Sequence, residues 1–324
     1  MLVSVLLFAV GLVLLIKGGD WFVDGATGIA KRFNLPDIVV GATVVSIGTT
    51  LPEVMVSTTG ALAGSGAMAY GNAIGSIICN TALIAAISIT CNPGPVNVKS
   101  MKTPAIFFFG AAAMYCLAAY GLGTFPRWLG FIMLTVFVVY MVLTVRNGLK
   151  NPDASAEEEE ESSKPKALWQ ELLLLVAGAA VIAVGADLLV EHGQIIAIEL
   201  GVPETVVALL FVALGTSLPE LVTTITSLKK GRASLGVGNV IGANVFNLVL
   251  VSGVAVSLAP FPVPCENFLL DTGLNMSLVF EIPVMLGVMS LMIFPALAAK
   301  KLGRWQGILL LCIYAAFCVC QFVL

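Results

Sequence analysis

The sequence predicts an all-α polytopic membrane protein with ten transmembrane helices in two inverted five-helix repeats. Three observations support this fold class. The 324 residues are 59% hydrophobic and only 11% charged, with a mean hydropathy of +1.02, which is too little charge for the surface of a soluble protein. Apolar stretches of about 18 or more residues, long enough to cross a bilayer, recur along the chain. The two halves of the chain also repeat each other in register.

The predicted spans follow one another with short connections, except after the fifth and the eighth. They cover residues 2–30, 37–63, 68–91, 102–122, 126–147, 168–197, 204–228, 234–258, 277–298 and 303–323. The first span lacks a basic start and a small-residue cleavage site, so we expect a retained helix rather than a signal peptide. The first and sixth spans carry interior charges, which predicts helices that are tilted or only partly lipid-facing.

The distribution of basic residues predicts the orientation. Of the 16 Lys and Arg residues, 14 lie in the loops after spans one, three, five, seven and nine, and only Lys17 and Arg127 lie elsewhere. Basic loops remain on the cytoplasmic side of a membrane. We therefore expect a multi-pass protein of the plasma or inner membrane with both termini on the non-cytoplasmic side.

An acidic segment divides the chain into two units. We predict a first five-helix repeat over 1–148, a cytoplasmic linker over 149–167 and a second repeat over 168–324. The linker contains five consecutive glutamates, Glu157 to Glu161, followed by Ser, Lys and Pro, a composition typical of a solvated segment. Because five is odd, equivalent helices of the two repeats cross the membrane in opposite directions. Interrupted helices of such repeats meet near the bilayer midplane.

A shift of 167 residues aligns the two repeats. The aligned pairs are Asp20 with Asp187, Pro36 with Pro203, Gly48 with Gly215, Pro52 with Pro219, Glu53 with Glu220, Gly71 with Gly238, Asn72 with Asn239, Gly75 with Gly242 and Asn80 with Asn247. Further along, Pro104 pairs with Pro283 at a shift of 179, which indicates an insertion in the loop before span nine.

Two copies of one motif stand at the centre of this alignment: Gly-Thr-Thr-Leu-Pro-Glu ending at Glu53 and Gly-Thr-Ser-Leu-Pro-Glu ending at Glu220. A carboxylate inside an apolar span is costly and indicates a functional site. We expect Pro52 and Pro219 to interrupt their helices, because proline removes one backbone hydrogen bond and frees the carbonyl oxygen four residues earlier, at Gly48 and Gly215. Carboxylate, hydroxyl and carbonyl oxygens together suit Na⁺ or Ca²⁺. The motifs therefore predict a cation site.

Polar residues extend this site along four spans at helical spacing. Span two contributes Ser46, Thr50, Glu53 and Ser57, flanked by Thr49. Span seven contributes Thr216, Ser217, Glu220, Thr223 or Thr224, and Ser227. Span three presents Asn72, Ser76 and Asn80, and span eight presents Asn239, Ala243 and Asn247. A single hydroxyl stripe commonly serves helix packing. Its recurrence with a proline and a carboxylate in both repeats favours an ion site.

Other functional classes find little support. The seven cysteines include no Cys-x-x-Cys pair, and His192 is the only histidine, so we expect neither a zinc site nor a disulfide framework. The chain shows no nucleophile–base constellation, which predicts that it is not an enzyme and needs no cofactor. The net charge of −3 gives no indication of nucleic-acid binding. The sequence does not predict an oligomeric state.

The paired motifs resemble those of the cation/Ca²⁺ exchanger superfamily, specifically its prokaryotic sodium/calcium exchangers. The resemblance covers nearly the whole chain and includes Gly-Thr-[Ser/Thr]-Leu-Pro-Glu and Gly-Asn-x-Ile-Gly-[Ser/Ala]-x-x-x-Asn in both halves. It implies that spans two, three, seven and eight form the site and that spans one and six move against them. The ligands that it implies are the Ca²⁺ carboxylates Glu53 and Glu220, shared with Na⁺, hydroxyl or carbonyl oxygens of Thr49, Thr50, Thr216 and Ser217, Ser76 at a Na⁺ position, and the carbonyls of Ser46 and Ala213.

This resemblance leads us to expect a secondary active antiporter that exchanges Ca²⁺ for Na⁺ by alternating access, in which two glutamates neutralise one Ca²⁺ and the ions bind in mutual exclusion. Two residues depart from the family pattern. Asn247 stands where some relatives have aspartate, and Ala243 replaces the expected partner of Ser76. Ca²⁺/H⁺ exchange and K⁺-dependent Na⁺/Ca²⁺ exchange therefore remain alternatives, and a passive cation channel is the alternative from another class.

Overall fold

The computed structural model describes residues 2–150, 167–200, 215–264 and 275–323, and these residues form ten helices. The helices are α1 (Leu2–Arg32), α2 (Asp37–Leu62), α3 (Gly66–Cys91), α4 (Val98–Leu122), α5 (Arg127–Lys150), α6 (Leu168–Glu199), α7 (Leu218–Lys229), α8 (Ala233–Leu258), α9 (Ser277–Ala299) and α10 (Arg304–Val323). In the described ranges, nine are long and apolar enough to cross a membrane. The exception is α7, whose predicted beginning at residue 204 lies outside these ranges. Most of the predicted linker, 149–167, also lies outside them. The predicted helical membrane fold is confirmed.

Two small β-pairs show how the repeats are related. Strand β1 (Gly94–Pro95) pairs antiparallel with β4 (Lys301–Leu302), and β2 (Thr124–Phe125) pairs with β3 (Phe261–Pro262). Each pair joins a loop of one repeat to a loop of the other. The 167-residue shift carries β1 onto β3, so one pair is the counterpart of the other at the opposite end of the bundle. This pairing is the geometry expected of inverted repeats.

Helices α2 and α7 also end in equivalent turns. Ala63 caps α2 and Lys230 caps α7 with similar backbone angles, and the next residues, Gly64 and Gly231, have φ of +84° and +72°. Such positive φ values favour glycine because it has no Cβ. The repeats therefore share a backbone turn at which their side chains differ, alanine in one and lysine in the other.

Helix α2 continues through Pro52 instead of being interrupted there. The α-helical part runs from Ser46 to Leu62 with Pro52 inside it, and a π-helical turn, Gly41–Val45, precedes it. Proline removes only one backbone donor, and tertiary packing holds the helix on both sides of it. In α7, Pro219 lies in the first turn of the described helix, where a backbone N–H has no intrahelical partner anyway. The expected interruption at Pro52 was therefore wrong.

Helices α1 and α6 form a closely packed antiparallel pair. A Cβ placed on Gly11 would lie 2.9 Å from the Gly185 carbonyl oxygen, and one on Gly18 would lie 2.9 Å from the Ile182 backbone nitrogen. Only glycine permits such an approach of two backbones. The pair packs against α2 and α7, whereas the larger apolar core lies among α3, α4, α5, α8, α9 and α10.

Charged residues concentrate at one end of the bundle, which we call the basic face; it contains the loops after the odd-numbered helices. The opposite end, where α1 begins and α10 ends, is the terminal face. At the basic face, Arg32 bonds Glu171 at 3.0 Å, and the Glu171 side chain is only 5% exposed. Lys230 lies 2.7 Å from an Asp24 oxygen. A third pair joins Arg232 to Asp37 at 3.2 Å. These contacts fasten α1 to α6 and to α7, and the loop before α8 to α2.

Candidate functional site

The paired motifs bring two glutamates together inside the protein. Helices α2, α3, α7 and α8 pack against one another, and the Glu53 and Glu220 side chains are both fully buried among them. The carboxyl groups are near enough to interact electrostatically. Thr50, one helical turn before Glu53, donates a hydrogen bond to Glu220 Oε1 at 3.5 Å. Each repeat therefore contributes one carboxyl group to a common buried region.

Several oxygen and nitrogen atoms here have no protein partner in the described ranges. They include both carboxylate oxygens of Glu53, one oxygen of Glu220, both amide atoms of Asn80 and of Asn247, Ser217 Oγ and Asn239 Nδ2. Buried polar groups are normally hydrogen-bonded, and an unpaired one requires an explanation such as water or an ion. Two carboxylates with unpaired oxygens form a hard, negatively charged site suited to Na⁺ or Ca²⁺.

Irregular helical turns stand beside the candidate ligands. Asn80 begins the π-helical turn Asn80–Ala85, and Asn247 begins the turn Asn247–Val251 in the other repeat. A π-turn skips one α-helical hydrogen bond, and such turns frequently occur at functional sites. The first of these turns packs on α7 and the second on α2. Each turn therefore packs against the helix that carries the motif of the opposite repeat.

Two further asparagines connect the repeats by hydrogen bonds. Thr49 of α2 donates to Asn239 Oδ1 at 3.1 Å, and Thr216, just before α7, donates to Asn72 Oδ1 at 3.3 Å. The 167-residue shift carries Thr49 onto Thr216 and Asn72 onto Asn239, so each bond is the counterpart of the other. The Ser46 hydroxyl also lies within hydrogen-bonding distance of Asn239, 3.0 Å from its backbone oxygen and 3.2 Å from Oδ1.

Most of the predicted site residues lie in this region. The residues of the site that are at most 3% exposed are Ser46, Thr49, Thr50, Glu53, Ser76, Asn80, Ser217, Glu220 and Asn247. Thr216 is partly buried, and Ser217 lies beside Cys79. Ser76 is buried on α3, and Ala243, its counterpart on α8, is buried without a polar atom to offer. Ala213 lies outside the described residues. These positions agree with the predicted site, but the binding roles of its residues stay a prediction.

A cavity of about 660 Å³ extends from the terminal half of the bundle toward the two motifs. It lies between α6 and the helices α2 and α7. Its lining includes Asp187 and Glu191 of α6, and Pro52, Thr216 and Pro219 at the motifs. At the opposite end, the Lys230–Asp24 ion pair holds α1 against α7. The described residues therefore place a cavity on the terminal side of the motifs and an ion pair between α1 and α7 at the basic face.

The sequence did not predict the contacts of three residues in this region. Asn72 and Asn239 belong to the Gly-Asn motifs of both repeats, but their spacing did not reveal that each faces the opposite repeat. Lys230 stood out only as a basic loop residue, because its acidic partners on α1 are distant in the chain. The recurrence of Gly-Asn at the 167-residue shift was the available signal for the two asparagines. No comparable sequence signal indicated the partner of Lys230.

Known proteins resemble this chain over nearly its whole length. A family model described as sodium/calcium exchanger protein matches residues 3–146 and 171–323. An uncharacterised membrane protein of Methanocaldococcus jannaschii is 34% identical over 95% of this chain and 94% of its own length. The sodium/calcium exchanger MaX1 of Methanosarcina acetivorans is 29% identical over 99% of both chains. A structure of the sodium-calcium exchanger NCX_Mj, soaked with 2.5 mM Na⁺ and 10 mM Sr²⁺, superposes with a TM-score of 0.79, 32% identity and 97% coverage of both chains.

Proposed function

The chain belongs to the sodium/calcium exchanger protein family, whose members are membrane transporters and not enzymes, and from that premise we propose that it exchanges Ca²⁺ for Na⁺ by alternating access. Its site is built around Glu53 and Glu220 near the membrane midplane. Ca²⁺ and Na⁺ are the transported ions, and the exchange needs no cofactor.

The observation that carries this proposal is the meeting of two fully buried glutamates at the boundary between the repeats, with a hydroxyl of one repeat bonded to the carboxylate of the other. Two carboxylates carry about two negative charges when ionised, which neutralises one Ca²⁺. Charge left uncompensated at this depth is costly, so an occupied site crosses between states more readily than an unoccupied one. This asymmetry is what couples the movement of the two ions.

The remaining candidate ligands are the neutral oxygen atoms that the sequence predicts for the site. We assign oxygen atoms of Thr49, Thr50, Thr216, Ser217, Ser76, Asn80 and Asn247, and the carbonyls of Ser46 and Ala213, to the ion positions. The hydroxyls and amides of this set are neutral, so they adapt the number of ligands to the ion while the glutamates set the charge. Because Asn247 is not an aspartate, the site has two ionisable carboxylates and not three.

We assign the basic face to the cytoplasm and both termini to the outside of the cell membrane, because 14 of the 16 basic residues lie in loops of that face. The cavity beside Asp187 and Glu191 then lies on the outer side of the motifs. Its two carboxylates give the approach a negative potential, which attracts cations toward the site. In the alternate state α1 and α6 move, closing this approach and opening the basic face.

Uptake of ⁴⁵Ca²⁺ into proteoliposomes tests the proposal. Vesicles preloaded with Na⁺ should accumulate Ca²⁺ when diluted into Na⁺-free medium at fixed pH, whereas vesicles preloaded with K⁺ or with neither ion should not. Glu53→Gln and Glu220→Gln should each abolish uptake while the protein remains folded, and Glu281→Gln, outside the paired motifs, should not. Normal uptake by either site variant would remove the site assignment.

The same vesicles separate the alternatives. Uptake driven by a pH gradient without Na⁺ would replace the proposal with Ca²⁺/H⁺ exchange. A requirement for K⁺ together with Na⁺ would indicate K⁺-dependent exchange. Downhill Ca²⁺ flux without any counter-ion, accompanied by channel-sized currents, would contradict coupled exchange altogether.

A further inference from the structure

We propose that Asn72 and Asn239 are positioning residues that direct the hydroxyl protons of Thr216 and Thr49 away from the transported cation. This inference rests on the ion site proposed above and assigns the two asparagines a role within it. Each asparagine acts on the threonine of the opposite repeat, so the cation site depends on contacts that cross the repeat boundary in both directions.

A threonine hydroxyl has one proton to donate and lone pairs with which to accept. It ligates a cation through a lone pair, so its proton must point to another acceptor. Beside a carboxylate, the nearest acceptor is the carboxylate itself. A proton directed there uses a carboxylate oxygen that the cation needs and turns the threonine lone pairs away. A second acceptor, placed on the far side of the hydroxyl, removes this competition.

Asn239 is such an acceptor for Thr49. The hydroxyl lies 3.1 Å from Asn239 Oδ1, to which it donates, and the Glu220 carboxyl group, also within hydrogen-bonding reach of Thr49, is the competing acceptor. Thr49 is 1% exposed and Asn239 is not exposed at all, so bulk water offers the hydroxyl no alternative acceptor. With its proton held by Asn239, the Thr49 oxygen keeps its lone pairs for an ion next to Glu220.

Asn72 has the corresponding place beside Thr216. Its amide nitrogen donates to Ser57 Oγ at 2.8 Å and to the Glu53 carbonyl at 3.2 Å. These two bonds turn the amide oxygen toward Thr216, whose hydroxyl donates to it at 3.3 Å. The orientation of Asn72 is thus set by the helix that carries Glu53, although the hydroxyl that it directs belongs to the other repeat.

The additional contact between Asn239 and Ser46 does not account for the arrangement. The Ser46 hydroxyl lies 2.8 Å from the Gly41 carbonyl oxygen and 3.0 Å from the Asn239 backbone oxygen, both nearer than Asn239 Oδ1 at 3.2 Å. Ser46 therefore keeps an acceptor when the Asn239 side chain is removed, whereas Thr49 loses the acceptor to which it donates.

Double-mutant cycles on Ca²⁺ binding, measured by calorimetry on the purified full chain in detergent, test this role. Removing the partner that orients a metal ligand typically weakens metal binding by about 10–100-fold. We expect Asn239→Ala and Thr49→Val each to weaken binding about tenfold, and the double variant to be little weaker than either, because both remove the same ligand. As the matched control, Asn239→Ala with Thr216→Val should weaken binding about a hundredfold, since two different ligands are lost.

A Thr49–Asn239 pair whose effects multiply would overturn the proposal, because Asn239 would then act independently of Thr49. If Asn239→Ala does not fold, the cycle of Asn72→Ala with Thr216→Val tests the same role at a partly buried asparagine. A wild-type protein that binds no Ca²⁺ would contradict the proposed function itself, whereas Ca²⁺ binding without coupling in either cycle would overturn only the positioning role.

Discussion

Replacing Lys230 with methionine should shift the protein toward the state open at the basic face. The lysine ammonium lies 2.7 Å from an Asp24 oxygen and 3.6 Å from an Asp20 oxygen, and it donates to the Asp20 carbonyl at 2.9 Å. These contacts hold α1 against α7 at the basic face. At the terminal face, Ala63 occupies the equivalent helix cap, so the repeat alignment provides no matching cation for Asp187 and Glu191.

The size of the shift follows from the exposure of these groups. Both carboxylate side chains are more than 40% exposed and the Lys230 side chain is 27% exposed, so the ion pairs are of the surface type and each contributes roughly 0.2–1 kcal/mol. With the additional hydrogen bond, we estimate about 1 kcal/mol in total, or about a fivefold change in the conformational equilibrium.

Ca²⁺ uptake in vesicles of the two orientations measures this change separately at each face. The apparent dissociation constant equals the intrinsic one divided by the fraction of protein in the competent state. For Lys230→Met, the Ca²⁺ KM at the basic face should therefore fall about fivefold, while the KM at the terminal face changes little. Lys230→Arg, which keeps the positive charge, should behave like the wild type. Ala63→Lys adds a cation at the equivalent position of the terminal face and should shift the equilibrium in the same direction as Lys230→Met. An unchanged basic-face KM, or equal changes at both faces, would refute the reasoning.

Three further variants test the packing and the site. Arg32→Met leaves the buried Glu171 carboxylate without its arginine and should destabilise the protein by about 2 kcal/mol, less than for a fully buried pair because Arg32 is about one-third exposed. Adding Glu171→Gln should restore part of the lost thermal stability. An Arg32→Met variant as stable as the wild type would contradict the role of the pair. Gly18→Leu should push α1 away from α6 and severely lower Ca²⁺ uptake. As a control in the same assay, Gly110→Leu should have little effect, because a side chain added at Gly110 meets open space in the described structure. Equal activities of the two variants would argue against close α1–α6 packing. Asn247→Leu removes a buried amide with two unpaired atoms, so it should increase the free energy of unfolding of the Ca²⁺-free protein by about 1–3 kcal/mol and raise its unfolding temperature. The further rise in unfolding temperature that Ca²⁺ produces should become smaller. An undiminished Ca²⁺ effect would exclude Asn247 as a ligand.

The residues of the candidate site could be predicted from the sequence because a polar residue in a membrane span has few possible roles. Glu53 and Glu220 are costly in an apolar environment, and their recurrence at one repeat shift indicates a shared purpose. The exact backbone form was less accessible. Pro52 predicted an interruption, but α2 remains helical through it, because the surrounding helices compensate for one missing hydrogen bond.

The sequence by itself determined the helical membrane class, the internal repeat and the chemical type of the candidate site, since hydropathy, residue order and a recurring motif are properties of the chain alone. Only the tertiary structure decided which side chains meet. Thr49 faces Asn239 and Thr216 faces Asn72, 190 and 144 residues away along the chain. Lys230 similarly finds Asp24 at a separation of 206 residues. Such partners depend on how inverted helices pack across the repeat boundary, and helical periodicity describes one helix at a time.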